Sequence, residues 1–386
     1  TSSFEHYKKE QLVINMKKVL LSKNLHQWLL LLVCFVTTLP SWAEDYTRDG
    51  IIYDLDRSAK TATVKGLEDK SATSAEIRSY AAGCKVTSIG GGAFKECTSL
   101  ISINIPSSVT SIESQAFEGC SSLASINIPS SVNRIGWATF EGCSSLTSIN
   151  IPSSVTSIDG YAFYGCSSLT SINIPNSVTC IEYYAFKNCS SLTSINIPNS
   201  VTSIREEAFS GCSALTSINI PNSVTSIGSQ AFHGCSSLTS INIPNSVTSI
   251  GAYVFYGCSS LTSINIPNSV TNIGGGAFSG CRALKTIVLQ SNSIKLQEGV
   301  FNYCGSIYAI SDNLKIALSD GYSYNSYQQG TNVNDYLGGT SWYTCGTPTI
   351  SYKGSTVSAN LWNSSLLDSN TAQYIKTIIE TSTKAQ

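Results

Sequence analysis

The chain repeats itself with a fixed period of 23 residues. Ten cysteines keep this step from Cys97 to Cys304, ten phenylalanines keep it from Phe94 to Phe301, and eight prolines keep it from Pro106 to Pro267. A period of this size, held by three residue types at once, is typical of a solenoid in which each repeat forms one coil. Nine whole units run from residue 97 to residue 303.

The apolar positions of one unit predict short strands joined by turns. In the unit 166–188, CSSLTSINIPNSVTCIEYYAFKN, the segment Leu169–Ile174 has the pattern L-x-x-I-x-I, in which apolar and polar residues alternate as in a half-buried strand. Pro175 has no N–H to donate and ends that strand, and a second short strand is expected within Val178–Ile181. The Gly or Asn that precedes most of these cysteines, such as Asn188 in this unit, is expected to turn the corner. The sequence therefore predicts a β-rich leucine-rich-repeat solenoid of about nine full 23-residue coils with N- and C-terminal caps.

The chain is expected to contain five segments. Residues 1–15 are interpreted as non-native upstream sequence, 16–43 as a signal peptide, 44–83 as an N-terminal β-hairpin cap, 84–310 as the solenoid, and 311–386 as a C-terminal cap or small irregular domain. A longer natural leader is the alternative interpretation of residues 1–15. No second apolar stretch follows the leader, so no membrane span is expected in the mature chain.

The signal peptide is predicted from its three regions. Lys17 and Lys18 make its start basic, Trp28–Leu39 is an apolar run of twelve residues, and Ser41 and Ala43 are the small residues expected before a cleavage site. The apolar run is too short to span a bilayer comfortably. Cleavage is expected to leave a mature chain that begins at residue 44 and is secreted or held at the cell surface.

Few charges are available to attract a charged partner. Charged residues make up 12% of the chain, about half the usual share, and the formal net charge is −1. The segment 208–281 contains no Asp, Glu, Lys or Arg. Without a basic field, the chain is not expected to bind nucleic acid or an anionic membrane surface.

The repeat resembles the BspA-like class of leucine-rich repeats. Residues 215–238, LTSINIPNSVTSIGSQAFHGCSSL, carry the segments L-x-x-I-x-I-P, V-x-x-I-G and A-F-x-x-C at the 23-residue step, and the resemblance covers about residues 84–310. It implies a secreted or surface protein, often of a host-associated microbe, that adheres to host matrix proteins or to other cells. A fold does not by itself fix a function, and no ligand-binding residues follow from the resemblance.

One column of cysteines and one column of phenylalanines are predicted to form the core. Their members include Cys120, Cys143, Cys166, Cys189, Cys212, Phe117, Phe140, Phe163, Phe186 and Phe209. Stacked cysteines about 4.8 Å apart are within disulfide range, but parallel side chains fit the disulfide dihedral poorly. We expect a ladder of buried thiols instead. Metal ligation is not expected, because the chain has no C-x-x-C and no histidine partner at the right spacing.

The residue inventory argues against an enzyme. His6 and His26 precede the predicted cleavage site, and His233 occupies a position that holds Glu, Tyr, Lys or Ser in other units. Asp159, Glu182 and Arg205 share one column on successive coils, so the two carboxylates are expected about 5 Å apart, near the spacing of a retaining glycosidase. Since no cleft is predicted there, a surface pair between Glu182 and Arg205 is the preferred interpretation. No cofactor is expected.

Two surfaces are candidates for binding. The first is a strand-face file of Asn residues, from Asn104 to Asn265, beside a parallel file of serines; either it forms a polar trough for glycans, or its amides bond one another along the stack. The second is an aromatic ridge where the units differ most. Its members are Trp137, Tyr161, Tyr164, Tyr183, Tyr184, Tyr253 and Tyr256. These rings either form a contact surface or lie flat on neighbouring coils.

The function expected from the sequence is that of a secreted or cell-surface adhesin or protein-binding scaffold. Its partner is expected to be a protein or glycan on a host or neighbouring cell surface. The alternative is a structural component of an envelope or matrix that associates with copies of itself. Either function uses the solenoid as a surface, and neither requires catalysis.

Overall fold

The computed structural model describes residues 44–284, 286–289, 293–297, 299–301 and 303–304, and the strands that follow them. The chain divides into two compact units, residues 1–44 and 45–386. The predicted upstream segment and signal peptide lie outside the described residues. Among the described residues none belongs to a helix, so none of them forms a helix long and apolar enough to cross a membrane.

An antiparallel strand pair precedes the coils. The first strands, numbered in chain order, are β1 (Glu44–Arg48), β2 (Ile51–Asp56), β3 (Thr61–Leu67), β4 (Ser74–Glu76), β5 (Tyr80–Ala81) and β6 (Cys84–Ile89). β2 pairs antiparallel with β3, from Ile51 opposite Leu67 to Asp56 opposite Thr61. β3 then pairs in parallel with β6. This pairing joins the antiparallel strands β2 and β3 to the first coil. The boundary at residue 83 stays a prediction.

One side of the coils is a row of short parallel strands, here called the first ladder. It contains β4, β7 (Ser102–Asn104), β10 (Ser148–Asn150), β12 (Ser171–Asn173), β14 (Ser194–Asn196), β16 (Ser217–Asn219), β18 (Ser240–Ile241), β20 (Ser263–Ile266), β22 (Thr286–Leu289), β24 (Ile307–Ile310) and β26 (Trp342–Cys345). Neighbouring coils pair with a register of one repeat, as in Ser148 opposite Ser171. From β7 to β20, each strand of this ladder ends one to three residues before the proline that leads the turn, as the sequence predicts.

A second side, the second ladder, is built in the same way from still shorter strands. It contains β6, β8 (Ser111–Ile112), β9 (Arg134–Ile135), β11 (Ser157–Ile158), β13 (Cys180–Ile181), β15 (Ser203–Ile204), β17 (Ser226–Ile227), β19 (Ser249–Ile250), β21 (Asn272–Ile273), β23 (Ser293–Leu296), β25 (Lys315–Leu318) and β27 (Thr349–Tyr352), and β28 (Ser355–Ser358) pairs antiparallel with β27. The predicted second strand and the solenoid of about nine coils are confirmed. Parallel pairing also continues past residue 310 in both ladders.

The third side of each coil consists of turns stacked on turns. Within a coil, the Ala185 N–H donates to the Glu182 carbonyl at 3.2 Å, and between coils the Phe186 N–H donates to the Ala208 carbonyl at 2.8 Å. The corner before each Cys is left-handed, with φ of 70° at Gly165 and 61° at Asn188. Gly and Asn adopt this conformation most readily, which confirms their predicted role at the corner.

The core is a single stack that runs through the coils. From Phe94 to Phe301 each ring lies against the next, with centroids 5.2–5.6 Å apart and planes within 13° of parallel. Phe186 is fully buried. The isoleucines and leucines of both ladders surround the stack. Because one coil cannot bury its own apolar side chains, stability accumulates from contacts between neighbouring coils.

The cysteine column lies beside the phenylalanine stack. The twelve cysteines from Cys84 to Cys304 are free thiols, and Cys120, Cys143, Cys166, Cys189 and Cys212 are fully buried. Nine thiols, from Cys120 to Cys304, donate to the carbonyl of a Phe in the preceding coil at 3.0–3.2 Å. The thiol is therefore a buried hydrogen-bond donor as well as an apolar group, which the sequence does not reveal.

Candidate binding surface

The aromatic ridge lies at the corner between the second ladder and the turn side. Four of its rings are exposed: Tyr253 at 47%, Trp137 and Tyr183 at 43%, and Tyr256 at 37%. Tyr161, Tyr164 and Tyr184 are half-buried against neighbouring coils. Four rings of the ridge therefore face solvent, and three are half-buried.

The ridge includes a backbone position that is left-handed in coil after coil. Its φ is 61° at Tyr161, 59° at Tyr184, 58° at Gln230 and 56° at Tyr253, whereas other coils place Gly276 or Gly92 there. A bulky residue in this region is uncommon and costs roughly 1–2 kcal/mol relative to an ordinary conformation. Ala138 and Glu207 adopt nearly the same angle, so it belongs to the repeat, and tyrosines occupy the position in three coils. The sequence could not show this strain, because its tyrosines and glutamines give no sign of the backbone angle.

The first part of the ridge is a continuous row of rings across three coils. The Trp137 and Tyr161 ring centroids are 5.5 Å apart, and the Tyr161 and Tyr184 rings stack at 4.6 Å with planes 25° apart. Tyr164 lies 5.6 Å from Tyr161. Aromatic pairs at these distances contribute about 0.5–1.5 kcal/mol beyond the area they bury. The row is therefore held in place before any partner arrives.

A groove opens in this row at Gly160. Trp137, Gly160 and Tyr183 occupy the same position in three successive repeats, so two large rings flank a residue with no side chain. A Cβ atom at Gly160 would lie 3.1 Å from the Tyr183 carbonyl oxygen and 3.6 Å from Trp137 Cδ1. The groove has a volume of about 540 Å³ and is open to solvent. Its lining comprises Arg134, Trp137, Asp159, Gly160, Tyr161, Glu182, Tyr183 and Tyr184.

Two ion pairs border the groove. The Arg134 guanidinium donates from Nε to Asp159 Oδ2 at 2.9 Å, and the Ser157 hydroxyl donates to Asp159 Oδ1 at 2.5 Å. Arg205 Nε lies 3.9 Å from Glu182 Oε2, which confirms the predicted pair. The Arg134–Asp159 pair was missed because the two residues are 25 positions apart rather than one repeat. Both carboxylates thus face arginines rather than each other.

The groove beside Gly160 is open to solvent and is not a cleft that excludes water. The side chains of Asp159 and Glu182 are engaged with arginines. In the described part of the chain, no group of three His, Cys, Asp or Glu side chains is arranged to hold a metal ion. The chemistry that these residues offer is stacking and hydrogen bonding.

Cations also lie against the outer rings. The Arg205 guanidinium carbon is 5.4 Å from the centre of the Tyr183 ring, and Lys187 Nζ is 5.1 Å from the centre of the Tyr184 ring. Lys187 also forms an ion pair with Glu207. These contacts come from the coil that follows each tyrosine or from its own turn. They cover one side of the Tyr183 ring and leave it available to the groove on the other.

The second part of the ridge lies three repeats further along. Tyr253 and Tyr256 meet edge to face with centroids 5.9 Å apart, and the His233 ring stacks on Tyr256 at 4.9 Å. Burial lowers the pKa of His233. This group contains no ion pair like those beside Gly160 among its described contacts. The ridge therefore divides into two clusters of different character.

The strand-face file of asparagines is flat and exposed. Asn150 pairs in register with Asn173, and Asn173 with Asn196, and all three side chains face solvent. A shallow depression of about 430 Å³ runs over Ser194, Ile195, Asn196 and the equivalent residues of the next two coils. Its walls are low because every coil presents the same short side chains. This surface is the second candidate for binding.

The sequence matches the family described as the BspA type leucine-rich repeat region over residues 72–193 and 181–308, in six copies. The two ranges together cover more than half of the chain. The chain therefore belongs to the BspA-type leucine-rich repeat family, and the resemblance seen in the repeat is confirmed. A comparison with curated proteins finds no match.

Several solved structures are similar to this chain. A leucine-rich cell surface protein from Faecalibacterium prausnitzii is 33% identical, with a TM-score of 0.54, and the match covers 71% of this chain and 84% of that one. A leucine-rich repeat protein from Bacteroides ovatus is 26% identical, with a TM-score of 0.44, covering 78% of this chain and 100% of that one. The pneumococcal vaccine antigen PcpA is 19% identical, with a TM-score of 0.46, covering 81% and 100%.

Proposed function

We propose that this protein is a secreted or cell-surface adhesin that holds its partner at the aromatic ridge. The partner is a protein or glycan on a host cell or a neighbouring cell. The single observation that carries this proposal is the row of rings around Gly160, in which tyrosines occupy a strained left-handed position and two further rings stand exposed. Neither the core nor the ladders require these rings.

The geometry of the ridge supports a contact role. Trp and Tyr supply large, rigid, partly polar contact area and are enriched among the residues that dominate binding energy. Here the exposed Trp137 ring packs against the half-buried Tyr161, and the exposed Tyr183 ring packs against the Arg205 guanidinium, so little side-chain entropy is lost when a partner covers them. The similar protein from F. prausnitzii is named a cell surface protein, and that description supports the proposed location.

The test is an adhesion assay with the exported full chain. Labelled protein is applied to human epithelial cells and to a panel of Gram-negative and Gram-positive bacteria. The double variant Trp137→Ala with Tyr183→Ala is expected to bind at least about tenfold more weakly than the parent, the size of a hot-spot loss. Its thermal midpoint is expected to change little, because both side chains are largely exposed.

The matched control is Asn150→Ala with Asn173→Ala, which changes the exposed face of the first ladder over the same stretch of the solenoid. Adhesion is expected to survive this change. If the asparagine pair abolishes adhesion and the ring pair does not, the contact surface is the strand face and the ridge proposal is wrong. If the parent binds none of the cells, the adhesin function itself fails.

A second candidate function is lateral self-association as an envelope or matrix component. The flat Ser/Asn face favours it, because the segment 208–281 has no charged side chain to keep two such faces apart. Sedimentation velocity over a range of protein concentrations measures this directly. Concentration-dependent oligomers that Asn196→Lys with Asn219→Lys dissolves support it, and a monomer at every concentration excludes it.

A further inference from the structure

We infer that the groove over Gly160 binds one sugar ring of a neutral, hydroxyl-rich glycan. This inference rests on the proposed binding function and names the class of ligand for the same site. Three features of the groove lead to it: the separation of its two aromatic walls, the way in which its charges are already paired, and its open side.

The walls are spaced for a single ring-shaped group. Trp137 and Tyr183 occupy the same position two repeats apart, so their backbones lie roughly 10 Å apart at about 4.8 Å per coil, and Trp137 Cδ1 lies 3.6 Å from the place that a Gly160 Cβ would take. Since carbon atoms in contact lie about 3.5–4.0 Å apart, a gap of this backbone width admits a group no thicker than one ring. The C–H faces of a pyranose are apolar and fit the faces of aromatic rings. A nucleobase also stacks on aromatic rings, but the phosphates that a nucleic acid carries would lie near Asp159 and Glu182 on the lining.

The charges beside the groove favour a neutral ligand. Asp159 is engaged by Arg134, and Glu182 by Arg205, so the two carboxylates and the two guanidinium groups balance. A cationic ligand would compete with arginines for the carboxylates, and an anionic ligand would compete with carboxylates for the arginines. A hydroxyl group needs no counter-charge, and it can donate to a carboxylate oxygen while accepting from a guanidinium N–H.

The groove has hydrogen-bond donors and acceptors beside its aromatic walls. Arg134 and Asp159 lie on its lining, and so does Glu182. Sugar hydroxyls project from the edge of the ring, so a ring held between the walls presents its edge to these groups. Hydrogen bonds in which one partner is charged are stronger than neutral ones. Stacking therefore selects a sugar, and the paired charges orient it.

The open side of the groove indicates that the ligand is a chain rather than a free monosaccharide. A small-molecule site encloses most of its ligand, but this groove is open to solvent along its outer side. A chain can enter from the side, place one residue between the walls and leave at both ends. Tyr161 and Tyr184 form the back of the groove and give the adjoining residues an apolar surface.

Affinity electrophoresis of the full chain tests the inference. The native protein is run through gels that contain soluble starch, yeast mannan, laminarin, xylan or galactomannan, and through gels with heparin as an anionic probe. At least one neutral polysaccharide is expected to retard the parent, equally at low and high salt. Trp137→Ala and Tyr183→Ala are each expected to weaken that retardation at least about tenfold.

Conservative variants show whether the rings act by stacking. Trp137→Phe and Tyr183→Phe keep an aromatic face and are expected to stay within about threefold of the parent. Tyr80→Ala removes an exposed ring that lies outside the ridge and is the matched control; its retardation is expected to be unchanged. Retardation by heparin alone, or retardation that disappears with salt, overturns the inference in favour of an anionic ligand.

A periodate arm separates failure of this inference from failure of the proposed function. Periodate cleaves the vicinal diols of cell-surface glycans and leaves most protein epitopes in place. Ridge-dependent adhesion that is lost after periodate treatment of the cells supports a glycan. Ridge-dependent adhesion that survives the treatment, with no retardation in any neutral gel, overturns the glycan inference and indicates a protein partner, while the adhesin function stands.

Discussion

The Cys166 thiol donates a hydrogen bond to the carbonyl oxygen of Phe140 in the preceding coil, with Sγ and O 3.1 Å apart. The same carbonyl also accepts from the Cys143 N–H at 3.1 Å. Each coil thus uses its cysteine to satisfy the second lone pair of a fully buried carbonyl. The relationship recurs along the column, so the thiol holds one coil to the next without a covalent bond.

Replacing one of these thiols tests how much this contact stabilises the stack. Cys166→Ala removes the donor and leaves a small void, and we expect it to cost about 1–3 kcal/mol of unfolding free energy. Cys166→Ser keeps a donor, although a smaller one, and is expected to cost less than the alanine variant. Urea unfolding followed by circular dichroism measures both. Equal losses in the two variants would show that packing alone, without the hydrogen bond, accounts for the effect.

The buried thiols make the fold sensitive to alkali. Burial raises the pKa of Cys120, Cys212 and Cys258 to about 12 each, whereas an unfolded cysteine has a pKa of about 8.5. A raised folded pKa means that stability is fully present below about pH 8.5 and is lost as the pH rises toward 12. We expect the unfolding free energy to fall between pH 8.5 and pH 12, by up to about 1.4 kcal/mol per pH unit for each thiol.

A single variant isolates one thiol in this experiment. The difference in unfolding free energy between the parent and Cys212→Ala is expected to shrink between pH 8.5 and pH 10, because only the parent carries that thiol. Tyrosine ionisation is common to both proteins and cancels. Ser213→Ala, at the adjacent residue, lacks an ionising group and is expected to differ from the parent by the same amount at every pH.

Alkylation distinguishes a thiol ladder from a disulfide ladder. In folded protein at pH 8, iodoacetamide is expected to modify the half-buried Cys180 well before the fully buried Cys166, because burial raises the pKa of both thiols but only Cys166 is inaccessible. Under denaturing, non-reducing conditions the column is expected to label throughout. Peptide mapping that finds regular pairs of consecutive column cysteines would contradict the ladder.

Core and ridge rings are expected to respond in opposite ways to truncation. Phe186 is fully buried between Phe163 and Phe209, so Phe186→Ala is expected to cost about 3–5 kcal/mol and to disrupt the stack. Tyr183→Ala loses chiefly an exposed contact with Arg205 and is expected to cost less than about 1 kcal/mol. Thermal denaturation of the two variants side by side makes the comparison, and similar losses would place Tyr183 in the core instead.

The left-handed position makes an unusual prediction for Tyr184. Glycine normally destabilises ordered structure relative to alanine, but at a φ of 59° it relieves strain that alanine retains. We therefore expect Tyr184→Gly to be more stable than Tyr184→Ala by about 1 kcal/mol, with adhesion weakened in both. The reverse order of thermal midpoints would mean that the backbone relaxes when the tyrosine ring is removed.

The architecture can be predicted well from the sequence because the 23-residue period determines it. Alternation in Leu169–Ile174 predicts the strand of the first ladder, Pro175 ends that strand, and the Gly or Asn before most of the column cysteines marks a left-handed corner. These features are local, and each is repeated many times. An atypical residue in one unit therefore does not hide the pattern that the other units show. The resemblance to a known repeat adds the family but not the partner.

The candidate site is harder to predict because it is built from exceptions to the repeat. The ridge residues could be selected because they differ between units, but the groove depends on Gly160, whose importance is the side chain that it lacks. The pair between Arg134 and Asp159 joins different columns, so a comparison by period alone passes over it. Backbone strain at Tyr161 and Tyr184 depends on how the corner packs, which no single residue type records.

The one-repeat register of the ladders has a consequence for how this protein can change length. Since residue 148 faces residue 171 and each coil meets its neighbour through the same contacts, removal of one unit of 23 residues rejoins equivalent surfaces. Such an event leaves every interior contact type intact and alters the spacing between the two aromatic clusters, now three repeats or roughly 14 Å. The number of repeats between the two aromatic clusters therefore sets their separation, and it can change without any change in how the core packs.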